Sequence, residues 1–227
     1  MNRLGKLRAI GFGLLVVGAS ALSAGCGSSS ARVRLLNAAP LESSLDMLVA
    51  NKTVASGVAY GTASSYASVS SGSPNLQIEA SGTTNALVNQ TITVNSGSDN
   101  TVLATNSSSS VSAVVLTDNN AAPASGQIEI RVVNASATLG TADIYILAPG
   151  TSISSVNPTV SSLAFGSATG YQPLTAGSYE VFFAPAGQKF VSIDSGSQSF
   201  TTGQIRTIVG LDGQNGGFTS AVIADLN

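Results

Sequence analysis

The chain has 227 residues, 43% hydrophobic and only 9% charged, with nine Lys and Arg against eleven Asp and Glu and a pI near 4.9. It contains no His, no Trp and one Cys, which excludes a Ser-His-Asp or Cys-His catalytic site and any His-ligated metal. So few basic groups argue against nucleic acid, whose binding rests on neutralising phosphates.

Ordinary globular proteins carry roughly 25% charged residues, so Ser, Thr, Asn and Gly must cover much of this surface. These are mediocre to poor helix formers, and the composition suits short strands and turns.

Arg3, Lys6 and Arg8 open the chain, and an uncharged, mostly apolar run follows from Ala9 to Ala24. The run is short for a membrane span, which needs about 20 apolar residues, and it ends in Leu22-Ser-Ala-Gly-Cys26. Small residues leading to the only cysteine resemble the lipobox of bacterial lipoproteins, although Leu22 stands four residues before Cys26 and Ser23 three before. The resemblance implies cleavage before Cys26, diacylglyceryl (palmitate-type) attachment to its thiol and acylation of its new amino group. The alternative is a plain secretory signal cut near Ala24, leaving a lone thiol in an oxidising compartment.

The expected parts are therefore a signal peptide over 1–25 and a lipidated tether over 26–31. Cleavage would remove three basic residues and leave six against eleven acidic ones, a net charge near −5. Nothing then suggests a second, electrostatic hold on anionic lipid. Gly27, rather than Asp, follows Cys26, so by resemblance to sorted lipoproteins the expected location is the outer membrane of the cell envelope. A five-residue linker from Gly27 to Ala31 reaches at most about 17 Å, which keeps the first domain close to the bilayer.

Arg34-Leu-Leu-Asn37-Ala-Ala then begins a pattern that returns 97 residues later as Arg131-Val-Val-Asn134-Ala-Ser, with Asp46 and Asp143 each nine residues past the Asn. Recurrence at a domain's length reads as a tandem duplication. Val33 and Leu35 alternate with Arg32 and Arg34, and Ile128, Ile130 and Val132 alternate with Glu129 and Arg131, the pattern of half-buried strands with a charged solvent face. Leu45, Met47 and Val49 answer Ala142, Ile144 and Ile146 on the next strand.

From Asp46 to Gly61 is 15 residues and from Asp143 to Gly166 is 23, so eight extra residues fall in a Pro- and Gly-bearing loop over 149–158. Register resumes with Tyr66 and Tyr171, then Gly72 and Gly177. Further strands are expected over 76–78, 91–94 and 101–104 in the first unit, and over 179–183, 190–193 and 204–211 in the second. Each unit closes on an apolar strand ending in Asp, at Asp118 and Asp225, after a hairpin-like turn at 106–110 or 212–217. Turns every 8–12 residues in units of about 95 residues predict an all-β chain of two tandem immunoglobulin-like antiparallel β-sandwiches, over 32–118 and 127–227, joined by a linker over 119–126.

Arg-Val-x-x-x-Asn-Ala-x-Pro at 32–40, Asp46, Val54-Ala-Ser-Gly-Val-Ala-Tyr-Gly61 and Tyr66 resemble the bacterial domain-of-unknown-function family 4397. The second unit is similar more loosely, lacking the Pro and carrying the insertion. The resemblance implies secreted or lipid-anchored envelope proteins with immunoglobulin-like domains, often in tandem, and it brings no catalytic residues with it.

Asn37, Asp46 and Tyr66, with Asn134, Asp143 and Tyr171, are the recurring polar residues. Their expected role is in the fold: Asn or Asp bonding turn amides, and Tyr closing a corner with its hydroxyl. The competing reading pairs Asp46 and Asp143 as glycosidase carboxylates, which would have to meet within roughly 5–9.5 Å. Asp212-Gly-Gln-Asn-Gly-Gly lacks the alternating ligands and terminal Glu of an EF-hand calcium loop and reads as a hairpin turn. No Ser-x-x-Lys spacing supports Lys52 or Lys189 as a serine activator.

The sequence gives no metal ligands and implies no cofactor. The clearest candidate partner surface is what one unit has alone, the loop carrying Pro149, Gly150, Asn157 and Pro158, with Tyr145 and Phe182-Phe183 on nearby strands. The expected function is a non-enzymatic, lipid-anchored envelope protein whose sandwiches meet another envelope protein or a polysaccharide. The alternative is a carboxylate-dependent carbohydrate- or cell-wall-active enzyme.

Overall fold

The computed structural model describes Met1 and residues 29–225. Cys26, the expected signal peptide beyond Met1 and the expected tether up to residue 28 lie outside the described residues. The first eight strands are β1 (Ser30–Ala38), β2 (Ser44–Val49), β3 (Lys52–Ala59), β4 (Ala67–Ser70), β5 (Asn75–Ala80), β6 (Ala86–Thr91), β7 (Asp99–Ser107) and β8 (Ser110–Asp118). They form two four-stranded sheets, ordered β4-β1-β7-β8 and β3-β2-β5-β6. Between the sheets lie Val33, Leu35, Leu45, Met47, Leu76, Ile78, Val102 and Ala104, all buried.

The second set is β9 (Gln127–Asn134), β10 (Ala142–Leu147), β11 (Val160–Leu163), β12 (Ser167–Ala168), β13 (Gln172–Thr175), β14 (Gly177–Pro185), β15 (Ile193–Asp194), β16 (Gln198–Phe200), β17 (Ile205–Asp212) and β18 (Phe218–Ala224). It repeats the plan. One sheet runs β12-β9-β17-β18 with β13 also on β9, and the other runs β11-β10-β14-β15 with β16 also on β14. Ile128, Ile130, Val132, Ile144, Val181, Phe183 and Ile208 fill the space between them. The all-β sandwich architecture is as expected.

Pairing departs from the expected pattern in one place per sandwich. β1 runs parallel to β7 and β9 parallel to β17, while the other strand pairs are antiparallel. After β1 the chain passes through the opposing sheet before β7 returns beside it, and a parallel neighbour needs a long crossover of this kind. Two predicted strands also shift. β6 ends at Thr91, with Val94 in an isolated bridge, and Phe190 and Val191 remain exposed, with β15 starting at Ile193.

The expectation of half-buried strands with charges in water is overturned for β1 and β9. Arg34 and Arg131 are each 2% exposed. Leu36, Ala38 and Leu103 on the outer face of the first sandwich pack against Val133, Ala135, Val209, Leu211 and Ile223 of the second, so both faces of the β1 and β9 sheets are covered. The molecule is four layers deep. Alternation reported the side each residue takes but not what lies beyond it, because a second apolar face became a partner for the first.

Candidate functional site

The junction between the inner sheets carries the densest polar chemistry among the described residues, and it is built by reciprocal exchange. Arg34 on β1 donates through Nη2 to Asp225 Oδ1 at the end of β18 and through Nη1 to the Ala224 carbonyl at 2.9 Å. Arg131 on β9 donates through Nη1 to Asp118 Oδ1 at the end of β8, at 2.7 Å. Each arginine thus reaches the last aspartate of the other sandwich.

A threonine beneath each arginine ties the exchange to its own sheet. Arg34 Nε donates to Thr101 Oγ1 at 2.8 Å, and that hydroxyl donates to Asp118 Oδ2 at 2.7 Å. Arg131 Nε donates to Thr207 Oγ1 at 3.2 Å, and Thr207 contacts Asp225 Oδ2 at 3.1 Å. The tyrosines complete the pattern: the Arg34 guanidinium lies 4.7 Å from the Tyr66 ring centre and that of Arg131 lies 4.9 Å from the Tyr171 centre, cation–π distances. Tyr66 does not close a backbone corner as expected, because its hydroxyl donates to Asp118 Oδ2 at 2.6 Å. A further link joins the sandwiches where the Tyr60 hydroxyl donates to the Asp212 carbonyl.

Burial works against the charge on Arg34, yet the Asp225, Tyr66 and Asp118 groups overcome it and its pKa is raised. Burial also pushes the Asp225 carboxyl above its ordinary value, and Arg34 offsets only part of that shift. Burial thus opposes the charge at both ends of the pair and each partner's charge offsets it, so the pair fixes which faces meet more than it adds stability. Burial raises the Tyr66 phenol above its ordinary range, with Asp118 adding to it, and raises that of Tyr171 as well. For Tyr60 burial, helped by Asp212, pushes the phenol up to about 12.

The recurring asparagines take the places expected of them, whereas the recurring aspartates hold edge-strand amides and not only turn amides. Asn37 Nδ2 donates to the Glu42 and Val58 carbonyls, and its Oδ1 accepts from the Ala39 N–H. Asn134 does the same with the Gly140 and Leu163 carbonyls and the Ser136 N–H. Asp46 accepts from the Gly57 N–H at 2.7 Å, and Asp143 from the Ser162 N–H at 2.8 Å. Gly57 and Ser162 have φ of 62° and 56°, so in each case the carboxylate holds a left-handed residue on the edge strand. Asp46 and Asp143 sit on β2 and β10 in the two outermost layers, with both inner sheets between them, at about 10 Å per layer. The structure does not bring them together.

Asp212 caps a turn, accepting from the Ala137 and Thr138 N–H groups, while residues 213–217 form the hairpin between β17 and β18. The 149–158 loop contains a 3-10 turn, Ile153–Ser155. Ile153 covers Tyr145, Phe182 and Ala184 on the outer face of the β10 and β14 sheet, and Phe183 points the other way, into the core. Pro149, Gly150 and Asn157 are exposed and Pro158 half-buried. Lys189 reaches back to the Val156 carbonyl and lies 4.9 Å from the Tyr145 ring centre. The loop therefore covers its own neighbouring aromatics.

Arg34, Arg131, Asp118, Asp225, Thr101 and Thr207 were not singled out from sequence as a site. Their signal was present: the arginines hold equivalent mid-strand places in β1 and β9, and the aspartates close equivalent strands. A cleft of about 470 Å³ opens beside this cluster, lined by Ser64, Ser65 and Tyr66 from one sandwich and Val222 to Asp225 from the other, with Arg34 at its base.

Comparison with protein families matches residues 31–145 to the family described as "Domain of unknown function (DUF4397)". The chain belongs to that family. The match covers the first sandwich, the linker, β9 and β10 as far as Tyr145. No curated protein matches the chain. Among solved structures, a CBM26-family module from Eubacterium rectale Amy13K in complex with maltoheptaose aligns at 8% identity over 87% of this chain and 98% of that chain, with a TM-score of 0.26.

Proposed function

We propose that this is a lipid-anchored protein of the bacterial cell envelope, acylated at Cys26 and held at the outer membrane. Residues 1–25 are the signal peptide, and the tether begins at Cys26 and is shorter than the 26–31 expected, because Ser30 and Ala31 are already paired in β1 and Ala31 is in the core. Two immunoglobulin-like copies of the family domain, 32–118 and 127–227, are joined by 119–126 and act as one rigid, non-enzymatic interaction module toward an envelope protein or polysaccharide. The matching sheet orders, β4-β1-β7-β8 with β12-β9-β17-β18 and β3-β2-β5-β6 with β11-β10-β14-β15, support the second copy.

One observation carries the non-enzymatic reading: all seven aspartates are engaged in holding the fold. Asp46, Asp143, Asp194 and Asp212 accept from backbone N–H groups, and Asp99, Asp118 and Asp225 pair with Arg32, Arg131 and Arg34. A general acid or base needs a carboxyl within reach of substrate and a tuned pKa; Asp225 has a raised pKa and a place on the cleft wall, but its oxygens are held by Arg34 and Thr207.

Expression in a bacterial host tests the proposal. Intact mass should show a mature N-terminus at Cys26 bearing acyl chains, and the protein should sediment with membranes. Cys26→Ala should abolish both. A mature chain with a free Cys26 thiol would overturn the anchor. Sugar release from cell-wall polymer that is lost on Asp46→Asn would overturn the non-enzymatic role.

A further inference from the structure

The two sandwiches differ at one seam between their sheets. In the second, Tyr179 lies two residues past Gly177. It packs against the core, donates its hydroxyl to the Thr175 carbonyl at 2.8 Å, and stands 6.5 Å from the Phe200 ring. The equivalent residue of the first sandwich, two past Gly72, is Pro74. Where the second sandwich has an aromatic plug, the first has a groove of about 260 Å³. Val49, Ala50, Val54, Val69 and Pro74 form its apolar side, and Ser29, Ser30, Lys52, Ser68 and Ser70 line the rest. Val49 and Val69 belong to the buried core, so the groove opens onto the apolar interior between the sheets.

We infer that this groove seats one of the acyl chains carried by Cys26. The assignment rests on the lipoprotein reading above and adds to it where one chain goes. Ser29, on the groove's lining, is three residues past Cys26, at most about 10 Å of extended backbone, so a chain on the thiol or on the new amino group starts within reach of the groove. The groove is smaller than the roughly 300–1,000 Å³ of a compact small-molecule site, and it suits a narrow, flexible hydrocarbon. Seating one chain leaves the others in the bilayer, where two suffice for stable anchoring. It also fixes the first sandwich against the membrane with the β2–β3 turn and Pro74 facing the lipid.

The test uses the full-length protein made in cells fed a diazirine-bearing palmitate analogue. After ultraviolet cross-linking, the adducts should map to peptides containing 49–54 and 68–74. Val54→Arg should reduce those adducts several-fold with acylation unchanged by intact mass. Pro74→Tyr, which copies the second sandwich, should do the same without unfolding the chain. An acylated protein whose adducts go only to bulk lipid, or to a second copy of the chain, would overturn the groove assignment and leave the anchor standing. An unmodified Cys26 would overturn both.

Discussion

The inner sheets of the two sandwiches are near replicas, while the outer sheets have gone separate ways. At the junction, Arg34 and Arg131, Thr101 and Thr207, Tyr66 and Tyr171, and Asp118 and Asp225 hold matching places. On the outer faces, Leu48, Gln77 and Glu79 of the first sandwich stand where the second has Tyr145, Phe182 and Ala184 under the 149–158 loop. The difference teaches where the constraint lies. Two faces that must fit each other cannot change independently, because a buried guanidinium without its carboxylate is costly. An outward face can become apolar if a loop grows to cover it.

The interior shows the same coupling on a smaller scale. Ala104 of the first sandwich corresponds to Gly210 of the second, and Ile78 corresponds to Phe183. A Cβ added at Gly210 would stand 2.6 Å from the Phe183 ring. The larger ring is accommodated by the missing methyl, so packing volume is conserved across the pair.

The strongest way to break the symmetry is to remove one arginine. Arg131→Met takes from buried Asp118 its closer cation, leaving Arg34 Nε at 4.0 Å, and should cost up to about 3–5 kcal/mol in equilibrium urea unfolding. Arg131→Met combined with Asp118→Leu should cost less than Arg131→Met alone. A single-variant cost below about 1 kcal/mol would mean that the junction is not holding the sandwiches together.

Transferring one sandwich's packing to the other is a smaller perturbation. Gly210→Ala should destabilise by about 1–3 kcal/mol through overpacking against Phe183, and adding Phe183→Ile should recover most of the loss. Failure of the second change to rescue the first would show that the two positions do not share a packing volume.

The mildest probe is alkaline titration. The folded state raises the phenol pKa of Tyr60, Tyr66 and Tyr171 above the ordinary 10. Each therefore contributes stability that is present below pH 10 and lost as pH rises through the folded value, about 12 for Tyr60. Tyrosinate absorbance from these three should appear above the ordinary range, together with loss of near-ultraviolet circular dichroism. Ionisation near 10 with the fold intact would separate the tyrosines from the junction.

Several features were legible without coordinates, because they follow from local rules. The recurrence at 97 residues, the strand alternation and the hairpin turns all survive in the structure. So do Asn37 and Asn134 bonded into their turns, where a short amide side chain can satisfy nearby backbone groups. The interface was hidden. Arg34 and Arg131 looked like solvent-facing charges, since alternation describes one strand and says nothing of a partner sheet far away in sequence. The aspartates that end β8 and β18 were visible as a pattern, but their partners lie in the other sandwich.

Composition and period-two patterning act residue by residue, and they suffice for an all-β chain with a recurring plan and no histidine chemistry. The face-to-face lock through exchanged ion pairs, the extra loop over its own aromatics, and the open seam opposite a plugged one emerge when the chain is folded. These depend on which surfaces meet, a matter of volume and charge compensation across long separations in the chain.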